Sequence, residues 1–378
     1  MLQELGFQEF DKTHALFAGF DYSLSIRSVL GGYNPGRIFV DNHLNPRLAF
    51  ALTFEGYLLA GDSEDPASLK AMRQFFQDSI FTGKVFLDDD TNLSLAVHPQ
   101  SWENKLPELI PTHEVEKNLR YHYLCSQVQY DWRTNLPEGY VVQRYDRSIV
   151  DDGTINDPGE LIDFERIKIG WGSLENFLDE GVGFCVIHEN NIVSWCSSDC
   201  KTNDQIDIGI ATHPAHRRRG LATAAVAATV EHCLAKGFQR VGWHCNAINA
   251  ASWKTAEKVG FVKNREYAYY FYIFDPVDHL AELGWHYYQL GEHDKTRQYY
   301  ERVFAARAEN PDYYYYLAAS AWGEIGNTSK AIQYLLAAAE RGWSALEHTQ
   351  NDPDFRALHG TPEWQAILKR IEQNARAA

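Results

Sequence analysis

The period of apolar and polar positions changes several times along this chain, and each change marks an element. Residues 11–20 have the spacing of a short helix, and residues 68–80 place apolar side chains three and four apart, as an amphipathic helix does. Between them, a turn at residues 31–36 leads into strand-like residues 37–40, an apolar run at 48–52, and a further strand-like run at 56–62. Asp88, Asp89 and Asp90 read as a solvated loop before a strand. Further on, residues 120–130 and 137–145 read as strands, 157–168 and 173–180 as helices, and 184–195 as a hairpin. Trp171 and Phe177 on those helices belong either to a pocket lining or, more simply, to the core.

The pattern is sharpest between residues 205 and 261. Residues 206–211 form a short apolar strand, which His213-Pro214 ends because proline cannot continue a ladder. Arg217, Arg218, Arg219 and Gly220 follow, and then Leu221 opens an alanine-rich segment of strong helix formers running to residue 236. Gly237 sits where a C-terminal cap belongs. A second strand at 240–245 precedes a helix that Asn249 opens and Gly260-Phe261 closes. A helix N-terminus carries about half a positive charge, so each cation there is disfavoured by about 0.3–1 kcal/mol. Three arginines in that place make sense if an anion docks there, held by free N–H groups, the helix dipole and the guanidinium forks. Gly220 and Ala222 leave the backbone open to close approach. The stretch reads as a pyrophosphate cradle, yet it has neither the Walker pattern nor the Gly-x-Gly-x-x-Gly fingerprint.

Composition narrows the partners. A length of 378 residues implies two or three domains. No stretch reaches ~18 uninterrupted apolar residues, so no membrane span is expected. The first ten residues lack the basic and apolar regions of a secretory signal. Six cysteines in so long a chain form no disulfide framework and read as reduced thiols of a cytoplasmic protein. A net charge of −16 argues against nucleic acid as a partner. It suits a cationic substrate through steering, or serves solubility alone.

The run Arg217-x-x-Gly220-x-Ala222 resembles the acyl-CoA signature of the GNAT acetyltransferases. The hairpin before it, the strand at 240–245 and the segment from Asn249 to Gly260-Phe261 occur in that family's order. Residues 36–49 and 56–62, with Phe184-Cys185, are similar to the subgroup that includes the zwittermicin A resistance acetyltransferases. The resemblance covers residues 1–275 and implies a mixed α/β (α+β) sheet flanked by helices. It divides the chain into a divergent, non-catalytic α/β half (1–115), a GNAT acetyltransferase domain (116–275) and a helical tail (276–378). It also implies acetyl-CoA as cofactor and an amine acceptor. The diphosphate would lie on the backbone of Arg217, Arg218, Arg219, Gly220, Leu221 and Ala222. The thioester oxygen would meet a backbone N–H of this strand, with Ile208, Gly209 and Ile210 as the cofactor-binding candidates where it splays near Gly209. Asn249 and Ser252 would face the CoA arm or a relay water, unless both serve only as helix caps.

An alkyl ammonium with pKa about 10.4 must lose a proton before it attacks, which costs roughly 4–5 kcal/mol at pH 7. Asp207, on the strand beside the expected acetyl position, is the nearest base, and alternation puts it on one face with Gly209. The plain alternative is an exposed strand-edge acid. Many GNAT proteins carry a tyrosine four residues before the Gly-Phe pair as acid for the leaving thiolate. Here that position is Ala256, which leaves solvent, Tyr267, Tyr269 or Tyr270. His213, His216 and His244 lack a further ligand, so no metal is expected.

Beyond Asp275-Pro276 the chain turns to aromatic and alanine-rich helices. Tyr287-x-x-Leu290-Gly291 is echoed by Trp322-x-x-Ile325-Gly326 about 35 residues later, a spacing that resembles tetratricopeptide repeats. Residues 362–371 fit a capping helix, and residues 313–316 an aromatic face. Such a tail either packs on the enzyme or offers a surface to a protein partner or a second copy of the chain. The reading is an N-acetyltransferase for a small-molecule amine, an aminated antibiotic among the candidates. The alternative is a non-catalytic acyl-CoA-binding or scaffold protein acting through its tail.

Overall fold

The computed structural model describes residues 2–85 and 91–377. The acidic run Asp88-Asp89-Asp90 therefore lies outside the described residues. The chain forms two compact units, residues 1–111 with 117–271, and residues 112–116 with 272–378.

The first unit is built on a single sheet. Its strands in chain order are β1 (Gln3–Glu4), β2 (Arg37–Val40), β3 (Leu48–Thr53), β4 (Gly56–Gly61), β5 (Asn92–His98), β6 (Lys117–Cys125), β7 (Tyr140–Arg144), β8 (Gly183–His188), β9 (Asn191–Lys201), β10 (Gln205–Thr212), β11 (Arg240–Asn246) and β12 (Val262–Ile273). Their spatial order is β1-β2-β3-β4-β5-β12-β6-β11-β10-β9-β8-β7. β12, the last strand made, thus sits between the first five and the rest. The two α/β stretches expected from the sequence share this one sheet.

Burial explains which segments became strands. Every residue of β3 is buried. Phe50 packs with Phe75 at 5.7 Å on one face, while Ala49 and Ala51 pack with Phe17, Phe20 and Ile26 on the other. Strands covered on both faces read as continuous apolar runs, which is how β3 looks in sequence. The Leu221–Ala235 helix is apolar all round for the same reason. Its Ala225, Val226 and Val230 are buried against Val186, Ile206 and Ile208 of the sheet. β8 and β9 meet through Glu189-Asn190, both at positive φ, as a tight two-residue hairpin turn requires.

Several local expectations need correction. The helix expected at 157–168 begins only at Phe164. Pro158 and Gly159 interrupt it, and the Asp157 carboxylate accepts the N–H groups of Leu161 and Ile162 in a loop instead. The strand expected at 120–130 stops at Cys125, after which Gln129 N–H turns to Val259 O at 2.7 Å. Residues 11–20 form short 3-10 and α turns rather than one helix. Helix Pro66–Phe75 continues into a π turn at Phe76–Ile80. Trp171 and Phe177 are core residues packed with Trp195, and the Trp171 indole N–H donates to Ser198 O at 3.1 Å.

The second unit is helical. Helices Pro276–Gln289 and His293–Ala306 form one hairpin, and Asp312–Glu324 with Thr328–Glu340 forms the next. Gly291 and Gly326 occupy the two turns with the same φ of +74°, a conformation that favours glycine. Leu346–Asn351 and Pro362–Ala377 follow. Tyr314, Tyr315 and Tyr316 are buried in this core beside Tyr300 and Val303, whereas Tyr313 is 45% exposed.

Candidate active site

Strands β10 and β11 run parallel for three residue pairs only, ending at Asp207 opposite Gly242. Beyond that point β10 stays with β9 to Thr212, and β11 stays with β6 to Asn246. The two strands therefore part. Among the described residues, Ile208, Gly209 and Ile210 have no strand partner on the side facing β11. Backbone N–H groups left open inside a sheet need a partner from elsewhere.

The loop after β10 delivers the arginines. Gly220 has φ +80° and precedes the Leu221–Ala235 helix with no side-chain cap. The first backbone bond of the helix runs from Ala224 N–H to Gly220 O at 3.0 Å, so the N–H groups of Leu221, Ala222 and Thr223 come before any acceptor. Arg218 also has positive φ, +61°, and makes no hydrogen bond or ion pair among the described residues. Arg217 and Arg219 are partly committed. Arg217 Nε donates to Thr212 O at 3.2 Å, and an Arg219 guanidinium nitrogen donates to the Tyr140 hydroxyl at 2.8 Å. Arg219 thereby ties the loop to β7, and Arg218 is the freest of the three.

Where the strands part, a polar cluster is buried in the sheet. Asp207 is 1% exposed, which overturns the alternative of a solvated strand-edge acid. Its carboxylate lies over Gly242, where a Cβ would sit 1.8 Å from Oδ1. Gln205 Nε2 donates to the same oxygen at 3.4 Å. His244 Nε2 stands 3.4 Å from Oδ2, close enough for charge attraction but misaligned as a hydrogen bond, so that Oδ2 has no hydrogen-bond partner. The other nitrogen, His244 Nδ1, is 2.9 Å from the Tyr267 hydroxyl. Tyr267, His244 and Asp207 thus form a line from β12 to β10. Burial pushes the Tyr267 phenol well above its ordinary value, so it stays protonated.

Two bulges shape this cluster. Cys200 faces Asp207 and Ser198 faces Ile208, so Asp199 is the extra residue on β9. The bulge sets its carboxylate against Gly209, where a Cβ would lie 3.0 Å from Oδ2. Asp199 is hydrogen-bonded to Glu55, from the tight turn between β3 and β4. Burial and the charge of Glu55 hold the Asp199 carboxyl well above the usual carboxylate range. Burial opposes ionisation of Glu55 too, but attraction to His244, Arg120 and Arg166 and the hydrogen bond with Asp199 hold it low. The pair carries one proton, on Asp199. A second bulge, at Asn264 on β12, brings its amide 3.2 Å from His122 Nδ1. His122 stacks on His244 at 4.5 Å, and burial followed by repulsion from His244 lowers its pKa to about 3. A cavity of about 40 Å³ opens beside Glu55, Arg120, His244 and Tyr267. That is room for a few waters. No three acids, cysteines or histidines converge as metal ligands among the described residues.

The remaining sequence candidates lie outside this cluster. Asn249 Oδ1 accepts the Ser252 N–H at 3.1 Å and caps the Ala250–Val259 helix. Ser252 Oγ accepts the Trp243 indole N–H at 3.1 Å. Asn249 thus caps the helix, as the capping alternative had it, whereas the Ser252 side chain holds the Trp243 indole instead. Ala256 is fully buried, with no room for a tyrosine's function. Tyr270 is buried beside Glu103, and Tyr269 stacks with Arg120 at 5.9 Å, so Tyr267 alone of the three faces His244. Sequence reasoning missed Glu55, Asp199, His122 and Arg120. A single signal was present: His122 and His244 occupy paired positions on neighbouring strands.

The sequence profile of the GNAT acetyltransferases fits residues 14–270. The chain belongs to this family. This GNAT enzyme, an acyltransferase, is similar to the uncharacterized N-acetyltransferase YdfB of Bacillus subtilis, with 24% identity over 272 residues, covering 72% of this chain and 98% of that protein. It is 34% identical over 79 residues to the uncharacterized N-acetyltransferase YjdG of the same organism, across 20% of this chain and 47% of that one. A crystal structure of a GCN5-related N-acetyltransferase-like protein from Streptococcus suis superposes with a TM-score of 0.52 at 24% identity, covering 70% of this chain and 99% of that chain. The shared region is the first unit's fold. No helix of the described residues is long and apolar enough to cross a membrane.

Proposed function

We propose that this GNAT enzyme moves the acetyl group of acetyl-CoA to a primary amine of a small molecule, by direct attack in a ternary complex. The observation that carries the reading is the buried Asp207–His244–Tyr267 line at the point where β10 and β11 part. The cofactor fits the chain's own groups. Gly220 at φ +80°, the uncapped N–H groups of Leu221, Ala222 and Thr223 and the free Arg218 suit a diphosphate. Bound there, acetyl-CoA would supply an acyl thioester, whose C–S bond would break as the C–N bond forms, the CoA sulfur leaving as thiol with the proton that the acylated nitrogen sheds.

The chain's residues do the rest. The backbone N–H groups within Ile208–Ile210 that point away from β9 stabilise the charge that develops on the carbonyl oxygen. The Asp207 carboxylate accepts the proton that the ammonium gives up, with His244 and Tyr267 holding it in position. Asp199, on the neighbouring strand β9, lies over Gly209 and spends its proton on Glu55. Three carboxyl-bearing residues around one site, Glu55, Asp199 and Asp207, would be hostile to an anionic acceptor and suit an amine. Aminated natural products, antibiotics among them, are the class the sequence resemblance points to.

The test is release of CoA thiol from acetyl-CoA across a panel of polyamines and aminated antibiotics. Turnover with at least one amine, abolished in Asp207→Asn, is the expected outcome. Acetyl-CoA binding without turnover on any amine would favour the acyl-CoA-binding alternative, and absence of binding would remove the cradle.

A further inference from the structure

The helical unit holds a cavity of about 1220 Å³ with an unusual wall. Five carboxylates line it, Asp278, Glu282, Glu347, Asp352 and Asp354, but no lysine or arginine, and the only other ionisable bases are His293 and His348. Asp278 is neutralised by Arg307. The other four carboxylates have no ion-pair partner among the described residues. Neutral hydroxyls serve some of them: Tyr316 donates to Asp352, and Tyr288 to Asp354 at 3.3 Å. Glu282, half-buried on the Pro276–Gln289 helix, has neither an ion pair nor a hydrogen bond among the described residues. Burial raises its pKa above the ordinary carboxylate value.

A second observation is independent of these acids. Tyr300 also lines the cavity, is 1% exposed, and its hydroxyl has no hydrogen-bond partner. Buried polar groups are rarely left so, and each exception asks for a missing partner. Aromatic faces complete the wall, with Trp285 stacked on Tyr288 at 5.6 Å and Tyr316 on Trp343 at 4.3 Å.

We propose that this cavity binds a small organic polycation, an aliphatic or amino-sugar polyamine. An ammonium group brings three donors and no acceptor. It therefore meets both needs of the wall, the unpaired carboxylates and the lone phenol oxygen, and aromatic faces attract it further. A peptide would bring one carbonyl acceptor for every N–H, which a wall carrying four carboxylates without an ion pair serves less well than an occupant that only donates. The occupant is for that reason a compact amine rather than a polypeptide segment.

The experiment titrates the full chain with spermine, read by calorimetry and by the fluorescence of Trp285 and Trp343. One saturable site is expected, weakening with salt. Glu282→Gln, a nearly isosteric change, should weaken binding at least tenfold, and Trp285→Ala several-fold. Glu282→Gln should leave the rate of acetyl transfer unchanged. Absence of spermine binding, or binding that both variants leave intact, overturns the proposal. So does binding that Asp207→Asn abolishes and Glu282→Gln does not, because the amine then sits in the other unit. Hexalysine binding more tightly than spermine with the same Glu282 dependence would overturn the choice of a small occupant.

Discussion

At the scale of single residues, the active-site cluster is governed by what burial does to charge. Asp199 and Glu55 share a proton because two carboxylates in contact inside a protein cannot both ionise cheaply. Asp199 is the member held neutral, so Asp199→Asn, which keeps shape and charge, is expected to leave the melting temperature within about 2 °C of wild type. Glu55→Gln removes the ionised member and leaves Arg120 beside it unpaired, and should cost about 1–3 kcal/mol in urea unfolding. Equal effects of the two changes would contradict this assignment of the proton. Asp207→Asn should lower kcat about 100-fold or more while acetyl-CoA affinity is preserved, as loss of a general base does. Gly242→Ala places a methyl 1.8 Å from the Asp207 carboxylate and should destabilise the fold by about 1–3 kcal/mol. Of these residues, Asp207 was legible in the sequence because it lies on the strand that leads into the arginine turn. Glu55 was not, since nothing in Phe54-Glu55-Gly56 distinguishes it from any polar turn. Asp199 sits in a run of small polar residues whose bulge exists only once β9 and β10 are paired.

At the scale of elements, the Leu221–Ala235 helix joins two functions. Its apolar circumference anchors it under the sheet, while its N-terminus stays uncapped and ringed by arginines. Arg217→Ala and Arg218→Ala should each weaken acetyl-CoA about five- to tenfold in calorimetry, each losing one charge-assisted contact. Gly220→Glu should weaken it further, because φ +80° strains any side chain there and a carboxylate repels the diphosphate. Unchanged affinity in all three would sink the cradle. This element was legible almost whole, ending at Ala235 with Lys236 as its cap. Element starts set by side-chain capping were harder. Asp157 and Asp163 both carry carboxylates suited to an N-cap, but Asp157 closes a loop through Pro158-Gly159 and Asp163 opens the helix.

At the scale of the whole chain, the single sheet makes residues far apart in sequence respond together to pH. His122 has its folded-state pKa lowered to about 3, against about 6.5 in the unfolded chain. Between those values the unfolded state binds the proton and the folded state does not. The stabilisation contributed by this group is therefore complete above about pH 6.5 and is lost as pH falls towards 3. At pH 5 the loss from this group is of the order of 2 kcal/mol. His122→Asn should flatten the fall in melting temperature between pH 7 and pH 5, and an unaltered slope would show that other groups govern it.

The sequence by itself determined what is contiguous: the basic turn, the uncapped helix start, the small residues around it and the order of segments that places the chain among the GNAT acetyltransferases. Those features act through backbone N–H groups and a helix dipole, which neighbours along the chain create without help from elsewhere. The tertiary structure alone decided which groups gather around Asp207. Glu55, His122, Asp199, Asp207, His244 and Tyr267 come from separate strands and turns. The protonation states of Glu55, His122, Asp199 and Tyr267 follow from desolvation and mutual charge, quantities that have no value until the sheet has closed around them.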